Sequence, residues 1–572
     1  MSLSHYLFDK KRHLLYLIFV SLFIFSPFYF QANTGGAGLS LAYNIPTWTI
    51  ASWLIAIGLM TVSANKIVTL PQTWLALIFF PVLILINGVF SETDQPIEFL
   101  FRLLYILGGI SFLFALLQFN LKQSSIDIAL AIIIIASGCQ AILATVQIIS
   151  PDFFLTWSFS QSDTVPRGTF QQVNVLASFL STGIITTLYY LSRPRLINRR
   201  LVEKIMLLGV SSISLYVVIS SGSRVGLLSL LLAVPIVISS RWKQLKRQKL
   251  ILILLVIFYT IAIILASNGF ERTVDKTLQL TEKSYSTSRI AMYTIGLEII
   301  SDKPLEGHGI GTFLLVWNKK ASDFVNRHPE TALPTYVTHP HNELLLWAIE
   351  GGLLAVVGIL AFMVSILVAI YRCGLQRGGA YAAMLLPITL HTQVELPFYI
   401  SSVHWFLWLF IIYLVLRNQK KEFAVNISQA MTRLIQIISA SLAIGITIFM
   451  INIARAQADL YNYVHNKNTQ PPYLQIALNN LYFKPLAEQV AMRAMLYSAI
   501  ENKDSENIIR FESWATEYVT HSPELKMYED LISASVYLRP EGKGCDAISA
   551  GLAMYAHNKP LQKAYLQCEV IK

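Results

Sequence analysis

Charge is scarce in this sequence: only 13% of its 572 residues are Asp, Glu, Lys or Arg, whereas about a quarter are charged in a soluble domain. That scarcity excludes a soluble globular protein. With 54% hydrophobic residues and a mean hydropathy of +0.54, it leaves an all-α polytopic membrane protein. Cysteine is scarce too. Cys139, Cys373, Cys545 and Cys568 are too scattered for a disulfide scaffold or a zinc site. Composition excludes collagenous, repetitive and disordered chains, and there is no P-loop, Rossmann fingerprint, nucleophile elbow or DxD-like pair.

What is present is a series of apolar runs, each long enough to cross a hydrocarbon core of about 30 Å. They lie near 13–32, 46–64, 73–90, 98–118, 126–149, 173–192, 203–220, 225–240, 249–267, 343–371, 379–394, 401–417 and 432–452, about thirteen transmembrane helices in all. Lys10, Lys11 and Arg12 precede the first run and no small-x-small cleavage site follows it, so it reads as a retained helix starting in the cytoplasm. Alternation from there gathers about 21 Lys and Arg on the inner side and leaves about 2 in the short outer loops. The net charge of +11 is therefore a positive-inside signal that implies no nucleic-acid partner. An odd span count puts the C-terminus outside.

Two longer segments also fall outside: a large loop, 268–340, and a tail, 453–572, both nearly balanced in charge. The chain thus divides into a membrane domain, 1–452, and a small α-helical C-terminal domain, 453–572. The tail has helix-compatible stretches at 471–480, 486–499 and 505–519, broken by PP, SP and RPEGKG turns. Cys545 and Cys568 would lie in an oxidising compartment, either paired or as two thiols.

Ionisable groups gathered at one membrane face are the functional signal, because they are costly there. Arg167 in PRGTFQQVN, Arg224 in SSGSRVG and Arg289 in SYSTSRIAMYTIGLEII each fall near an outer helix start. Open backbone N–H groups, a positive dipole end and a guanidinium fork together suit a pyrophosphate. His339, His341, Asn342 and Glu343 close the large loop and open the tenth span. His391 and Glu395 sit in HTQVELP at the outer end of the eleventh. His339-Pro-His341 could suggest a metal pair, but no third ligand follows at a recognised spacing, so no metal is expected. His308 in EGHGIGTF reads as a loop-shaping residue. Arg102 is the one basic residue well inside a span, with Glu98 a turn away as its partner.

Four stretches resemble the Wzy/WaaL/PglL superfamily of bacterial enzymes that take glycans from undecaprenyl pyrophosphate at the periplasmic face. SGSRVGLL resembles its Ser-Arg motif. SRIAMYTIGLEIISDKPLEGHGIGTF resembles its second-arginine segment with a D-x-P…G-x-G run. HPHNELLLWAIEGGLL resembles its H-N…E-x-G motif. RGTFQQVNVLASFL, with Gln171 and Asn174, and HTQVELPFY look like the PglL branch, the O-linked protein oligosaccharyltransferases. The ligase pattern fits His341, Asn342 and Gly352 but meets Ala355 at its last position.

The resemblance implies a GT-C-like, metal-independent glycosyltransferase without a cofactor, in the bacterial inner membrane, with the large loop and tail in the periplasm. Its donor would be an undecaprenyl-pyrophosphate-linked oligosaccharide, and its acceptor a periplasmic protein such as pilin. Arg167, Arg224 and Arg289 would bind the pyrophosphate. His341 would be the catalytic base, or, protonated, a phosphate ligand with Glu395 or Glu343 as base. Two other acceptors stay open, lipid A–core for a ligase and a glycan repeat for a polymerase. A flippase or transporter of lipid-linked sugar would show internal repeats and ionisable residues at mid-span; no clear repeat is found, and Arg102, with Glu98 as its partner, is the only basic residue well inside a span.

Overall fold

The computed structural model describes residues 13–90, 95–150, 165–278, 283–329, 331, 333–334, 337–466, 474–540 and 544–569. The apolar runs are all helical. Helix α1 (His13–Phe28) is followed by α2 (Asn44–Asn65), α3 (Trp74–Phe90), α4 (Pro96–Gln118), α5 (Gln123–Ile149), α6 (Val173–Leu191), a single turn α7 (Pro194–Ile197), α8 (Leu201–Ser220), α9 (Arg224–Leu245) and α10 (Lys249–Leu265). After these come α11 (Ser267–Leu278), α12 (Lys283–Asp302), α13 (Phe313–Arg327), α14 (Glu343–Arg372), α15 (Gly374–His391), a turn α16 (Pro397–Ile400), α17 (Ser402–Leu416) and α18 (Gln429–Asn466). Among the described residues, eight helices are long and apolar enough to cross a membrane, and the bent pair α10–α11 would be a ninth if counted as one span. The other four runs are α1, α3, α15 and α17. The protein is an all-α polytopic membrane protein; its strands among the described residues are β1 (Ile67–Pro71) and β2 (Lys420–Ala424).

The helices group into two units: 1–78, 106–276 and 361–454 form one, and 79–105, 277–360 and 455–572 form the other. The first unit is centred on α6, four-fifths of whose apolar window is buried, against α5, α8, α9 and α15. Its small and hydroxyl residues allow this close packing, which in a lipid solvent must replace hydrophobic drive. Thr182, Thr186 and Thr187 return their hydroxyls to carbonyls one turn back, so α6 buries no open donor from these side chains. One buried charge of this unit is ion-paired: Arg193 Nε reaches Asp127 at 2.7 Å and its Nη1 donates to Tyr189 at 2.8 Å.

Strand β1 pairs antiparallel with β2, Ile67 opposite Ala424 and Pro71 opposite Lys420. Lys420 Nζ also donates to Asn120 at 2.7 Å, and Arg417 to the Leu121 carbonyl at 2.6 Å. On the other set of loops, Asn44 links to Ile400 and Ser402, and Gln31 to the Ala454 carbonyl. Each of these bonds joins loops that alternation assigns to one side.

In the second unit, α19 (Gln475–Leu478), α20 (Lys484–Asn502), α21 (Ser505–His521), α22 (Leu525–Leu538), α23 (Cys545–Met554) and α24 (Lys559–Glu569) enclose a core that includes Ile508, Phe511, Met527, Tyr528, Leu531 and Tyr555. Residues 471–473 and 541–543, which sequence gave to a helix start and a turn, lie outside the described residues. Asp504 caps α21 by accepting from Asn507 N at 3.2 Å. Helix α13, from the large loop, docks on this core. Asn318 donates to Tyr555 Oη at 2.9 Å and to the Pro523 carbonyl at 3.2 Å.

Cys545 and Cys568 form a disulfide that ties α23 to α24. Closing a segment of that length restricts the unfolded chain and stabilises by roughly 3 kcal/mol. Cys545→Ser is expected to lower the tail's opening free energy by about that amount. Amide hydrogen exchange localised to residues 484–569 reads it, with the spans of the first unit unchanged.

Candidate functional site

In the first unit the arginine-bearing segments are held by polar side chains that protrude from apolar helices. Two glutamines on α5 grip the PRGT segment. Gln147 Oε1 accepts from the backbone N–H of Arg167 at 3.1 Å and of Gly168 at 2.9 Å, while its Nε2 donates to the Gly168 carbonyl at 3.1 Å. Gln140 does the same for Thr169, accepting from its N–H at 3.1 Å and donating to its hydroxyl at 2.7 Å. Phe170 is the anchor between these contacts. It is fully buried, with ring centroids 5.6 Å from Tyr43, 5.1 Å from Phe179 and 5.2 Å from His404.

The two arginine segments are joined. Ser223 is the N-cap of α9, accepting from Gly226 N at 3.2 Å, and its hydroxyl donates to Asn174 Oδ1 at 2.8 Å. Asn174 lies in the first turn of α6 and Arg224 is the first residue of α9, so one hydrogen bond fastens two helix starts together. Both arginines are half-buried. Ser223→Ala removes the cap and the link, and is expected to cost about 1 kcal/mol. The check is the melting temperature of the purified protein beside its affinity for the donor, and both should fall.

His391 ends α15 and is fully buried. Its Nδ1 lies 2.9 Å from Ser178 Oγ on α6, and its Nε2 has no hydrogen-bond partner among the described residues. A second buried histidine, His404, is tied at both nitrogens: Nδ1 to Ser401 Oγ and Nε2 to the Val175 carbonyl, each at 2.9 Å. Glu395 follows His391 by one turn, its N–H donating to the His391 carbonyl at 3.0 Å, and is half-buried.

The other candidates lie in the second unit. Asn342 caps α14, accepting from Leu345 N at 2.9 Å. His341, just before the cap, has a left-handed φ of 49° and donates its N–H to His339 Nδ1 at 3.2 Å. The two rings are 4.3 Å apart. Gln171 in the first unit is likewise left-handed, with φ 61°. Such conformations cost a side-chain-bearing residue about 1–3 kcal/mol and gather at functional positions. Glu343 opens α14, and its Oε2 is buried without a partner among the described residues. Arg289 is the seventh residue of α12; its side chain lies outside the described residues.

The start of α14 is braced from below. At Gly352 the backbone leaves the helix, with φ 59° and ψ −161°. The peptide groups freed there pair with the DKPLEGHG segment. His308 N donates to the Ile349 carbonyl at 3.0 Å and Gly309 N to Glu350 at 2.9 Å, while Leu353 N donates to the Pro304 carbonyl at 2.8 Å. Asn87 donates to the Glu306 and Gly351 carbonyls. Buried Glu350 bonds Arg102 and accepts from Phe313 N at 3.2 Å. Arg102 also reaches Glu98 at 3.2 Å, the partner expected from spacing, and lies 5.8 Å from the Trp347 ring centroid. His308 does shape its loop, through Nε2 to the Ile299 carbonyl at 2.9 Å.

Thus Arg167, Gln171, Asn174, Arg224, His391 and Glu395 belong to the first unit, and Arg289, His339, His341, Asn342 and Glu343 to the second. Sequence reasoning missed Gln140, Gln147 and Ser178, and it quoted Ser223 and Glu350 within their motifs without giving Glu350 a partner. Gln140 and Gln147 carried a usable signal, since polar residues seven apart on an apolar helix share a face.

A scan against protein families matches residues 209–363 to the family described as O-antigen ligase, and residues 380–567 to the family described as virulence factor membrane-bound polymerase, C-terminal. The first match holds Arg224, Arg289 and His341; the second holds His391, Glu395 and the tail; Arg167, Gln171 and Asn174 precede both. No curated protein matches the chain. The motif order, the all-helical membrane fold and these two matches together establish that the chain belongs to the Wzy/WaaL/PglL superfamily of O-antigen ligase-like and polymerase-like membrane proteins.

Proposed function

We propose that this protein is an O-oligosaccharyltransferase that moves a glycan en bloc from undecaprenyl pyrophosphate to Ser or Thr hydroxyls of periplasmic proteins, pilin among them. The observation that carries this reading is the Asn174–Ser223 hydrogen bond. It fastens the Arg167 segment, which resembles the PglL branch, to the Arg224 turn, which resembles the superfamily's Ser-Arg motif. Two joined helix starts, one opened by Arg224 and the other preceded by the Arg167 segment, are the chemistry that a pyrophosphate calls for.

In the reaction, the acceptor oxygen attacks the anomeric carbon and the bond from that carbon to the pyrophosphate oxygen breaks. The electron pair leaves with undecaprenyl pyrophosphate. His341 takes the hydroxyl proton, and Arg167, Arg224 and Arg289 stabilise the charge that grows on the leaving group. One displacement inverts the anomeric centre. The protein sits in the inner membrane with its N-terminus in the cytoplasm and its tail in the periplasm, and the Cys545–Cys568 disulfide suits that oxidising compartment.

The descriptions of the two matched families favour a second reading, ligation to lipid A–core or polymerisation of a glycan repeat. Co-expression with a lipid-linked glycan pathway and a pilin-type acceptor separates these. Mass spectrometry is expected to find the glycan mass on Ser or Thr of the acceptor. Glycan found on lipid A–core alone, or only as longer lipid-linked chains, would replace the protein acceptor with the second reading.

A further inference from the structure

Helix α11 follows α10 after one residue, Ala266, and the pair is bent by 63°. A span tilted by about 20° that is followed by such a bend brings the next helix toward the membrane plane. Helix α11 is two-faced. Phe270, Val274 and Leu278, at helical spacing i, i+4 and i+8, are 41%, 52% and 59% exposed, while Arg272 is exposed on the opposite side and Glu271 stands at the edge of the stripe, beside Leu278. The apolar stripe continues a lipid-facing one: Ile261, Ile264 and Leu265 at the end of α10 are 50%, 65% and 68% exposed.

The height of α11 is fixed as well. Gly269 lies so close to the end of α8 that a Cβ there would be 2.2 Å from the Ile219 carbonyl oxygen and 2.6 Å from Ser220 Cα. Its N–H donates to Ala266 at 2.9 Å. The SGSR turn begins at the very next residue, Ser221. Helix α11 therefore starts level with the end of one span and the beginning of the next, where acyl chains meet headgroups.

We propose that α11 is an in-plane membrane anchor. Its Phe270–Val274–Leu278 face lies in the acyl boundary of the leaflet at the Arg224 end of the bundle, and its contact at Gly269 holds the SGSR turn at headgroup depth. The partner is the lipid surface itself, which suits a short helix with an apolar stripe opposite a charged side chain, Arg272. The anchor serves transfer to protein, lipid A–core or glycan equally, and its test needs no donor.

The test places spin labels at Phe270→Cys, Val274→Cys and Arg272→Cys, in full-length protein with Cys139→Ser and Cys373→Ser. The protein is reconstituted in phosphatidylethanolamine–phosphatidylglycerol vesicles, and power saturation compares oxygen with a water-soluble nickel chelate. The oxygen-to-nickel accessibility ratio is expected to be several-fold higher at 270 and 274 than at 272. Equal, high nickel accessibility at all three positions would place the helix in water. Exclusion of both relaxants at 270 and 274 would mean that protein covers the face, and depth increasing steadily from 270 to 274 would make α11 a re-entrant segment. Each of these three results overturns the anchor.

Discussion

Replacing His341 with glycine is expected to leave the fold in place and to slow glycan transfer by about 10²–10⁴-fold, the usual worth of a general base. Glycine is the informative substitution because His341 holds a left-handed φ of 49°, which glycine adopts without strain. The cap that starts α14 is made by Asn342 and survives the change. Loss of rate then reports chemistry and not a collapsed loop. The alternative role, a protonated His341 on the phosphate, is separated by donor affinity. A base variant keeps binding the lipid-linked glycan and regains rate with added imidazole, whereas a lost phosphate ligand weakens donor binding and is better replaced by lysine. The readouts are single-turnover transfer and donor binding in detergent micelles.

Gly352→Ala is expected to disable the protein by another route. Its φ of 59° with ψ −161° is open to glycine and strained for alanine. The added carbon would also stand 2.3 Å from the Leu305 carbonyl oxygen and 2.5 Å from Gly307 N, so the DKPLEGHG segment must move away. The hydrogen bonds that satisfy the broken helix at Ile349, Glu350 and Leu353 go with it. Strain alone is worth about 1–3 kcal/mol, and each unsatisfied buried backbone group costs a further ~1–3 kcal/mol. Little folded protein should be recovered, with a lowered melting temperature in what remains. Gly445→Ala is the control. Gly445 lies in α18 with nothing within 4 Å of an added Cβ, and the better helix propensity of alanine should leave stability equal or slightly higher.

The sequence carried what is periodic and local. Thirteen apolar runs are thirteen helical segments because hydropathy over about 20 residues is set by the bilayer's thickness. The residues at helix ends, Arg224, Asn342 and His391, were legible because polar groups beside an apolar run stand out. The supports for those residues were not, because they come from far along the chain. Glu350 meets Arg102 across 248 residues, and sequence offered only Glu98, four residues away. Ser178 looked like one more small residue of α6, and only the packing of α15 on α6 gives it His391. Strand β1 was hidden in an inner loop, since its partner β2 is some 350 residues on.

Helix α14 shows the same limit. Its apolar run reads as one span, and the motif that places Gly352 gives no hint that the backbone breaks there. The break becomes intelligible only with the DKPLEGHG segment supplying its hydrogen bonds. Two stretches joined in the family pattern by order alone are thus joined here by paired backbone groups.

The central claim is transfer of a glycan from a lipid pyrophosphate to a protein hydroxyl, and the most direct measurement is a reconstituted reaction with purified components. Protein in liposomes is mixed with undecaprenyl-pyrophosphate-linked oligosaccharide and a periplasmic acceptor in the presence of a metal chelator. Glycosylated acceptor and released undecaprenyl pyrophosphate are then counted together. One glycan on Ser or Thr of the acceptor per pyrophosphate released, with the anomeric centre inverted and the His341→Gly protein inactive, is the predicted result. Pyrophosphate release with the acceptor unmodified, the glycan going instead to another lipid-linked chain or to lipid A–core, would contradict it.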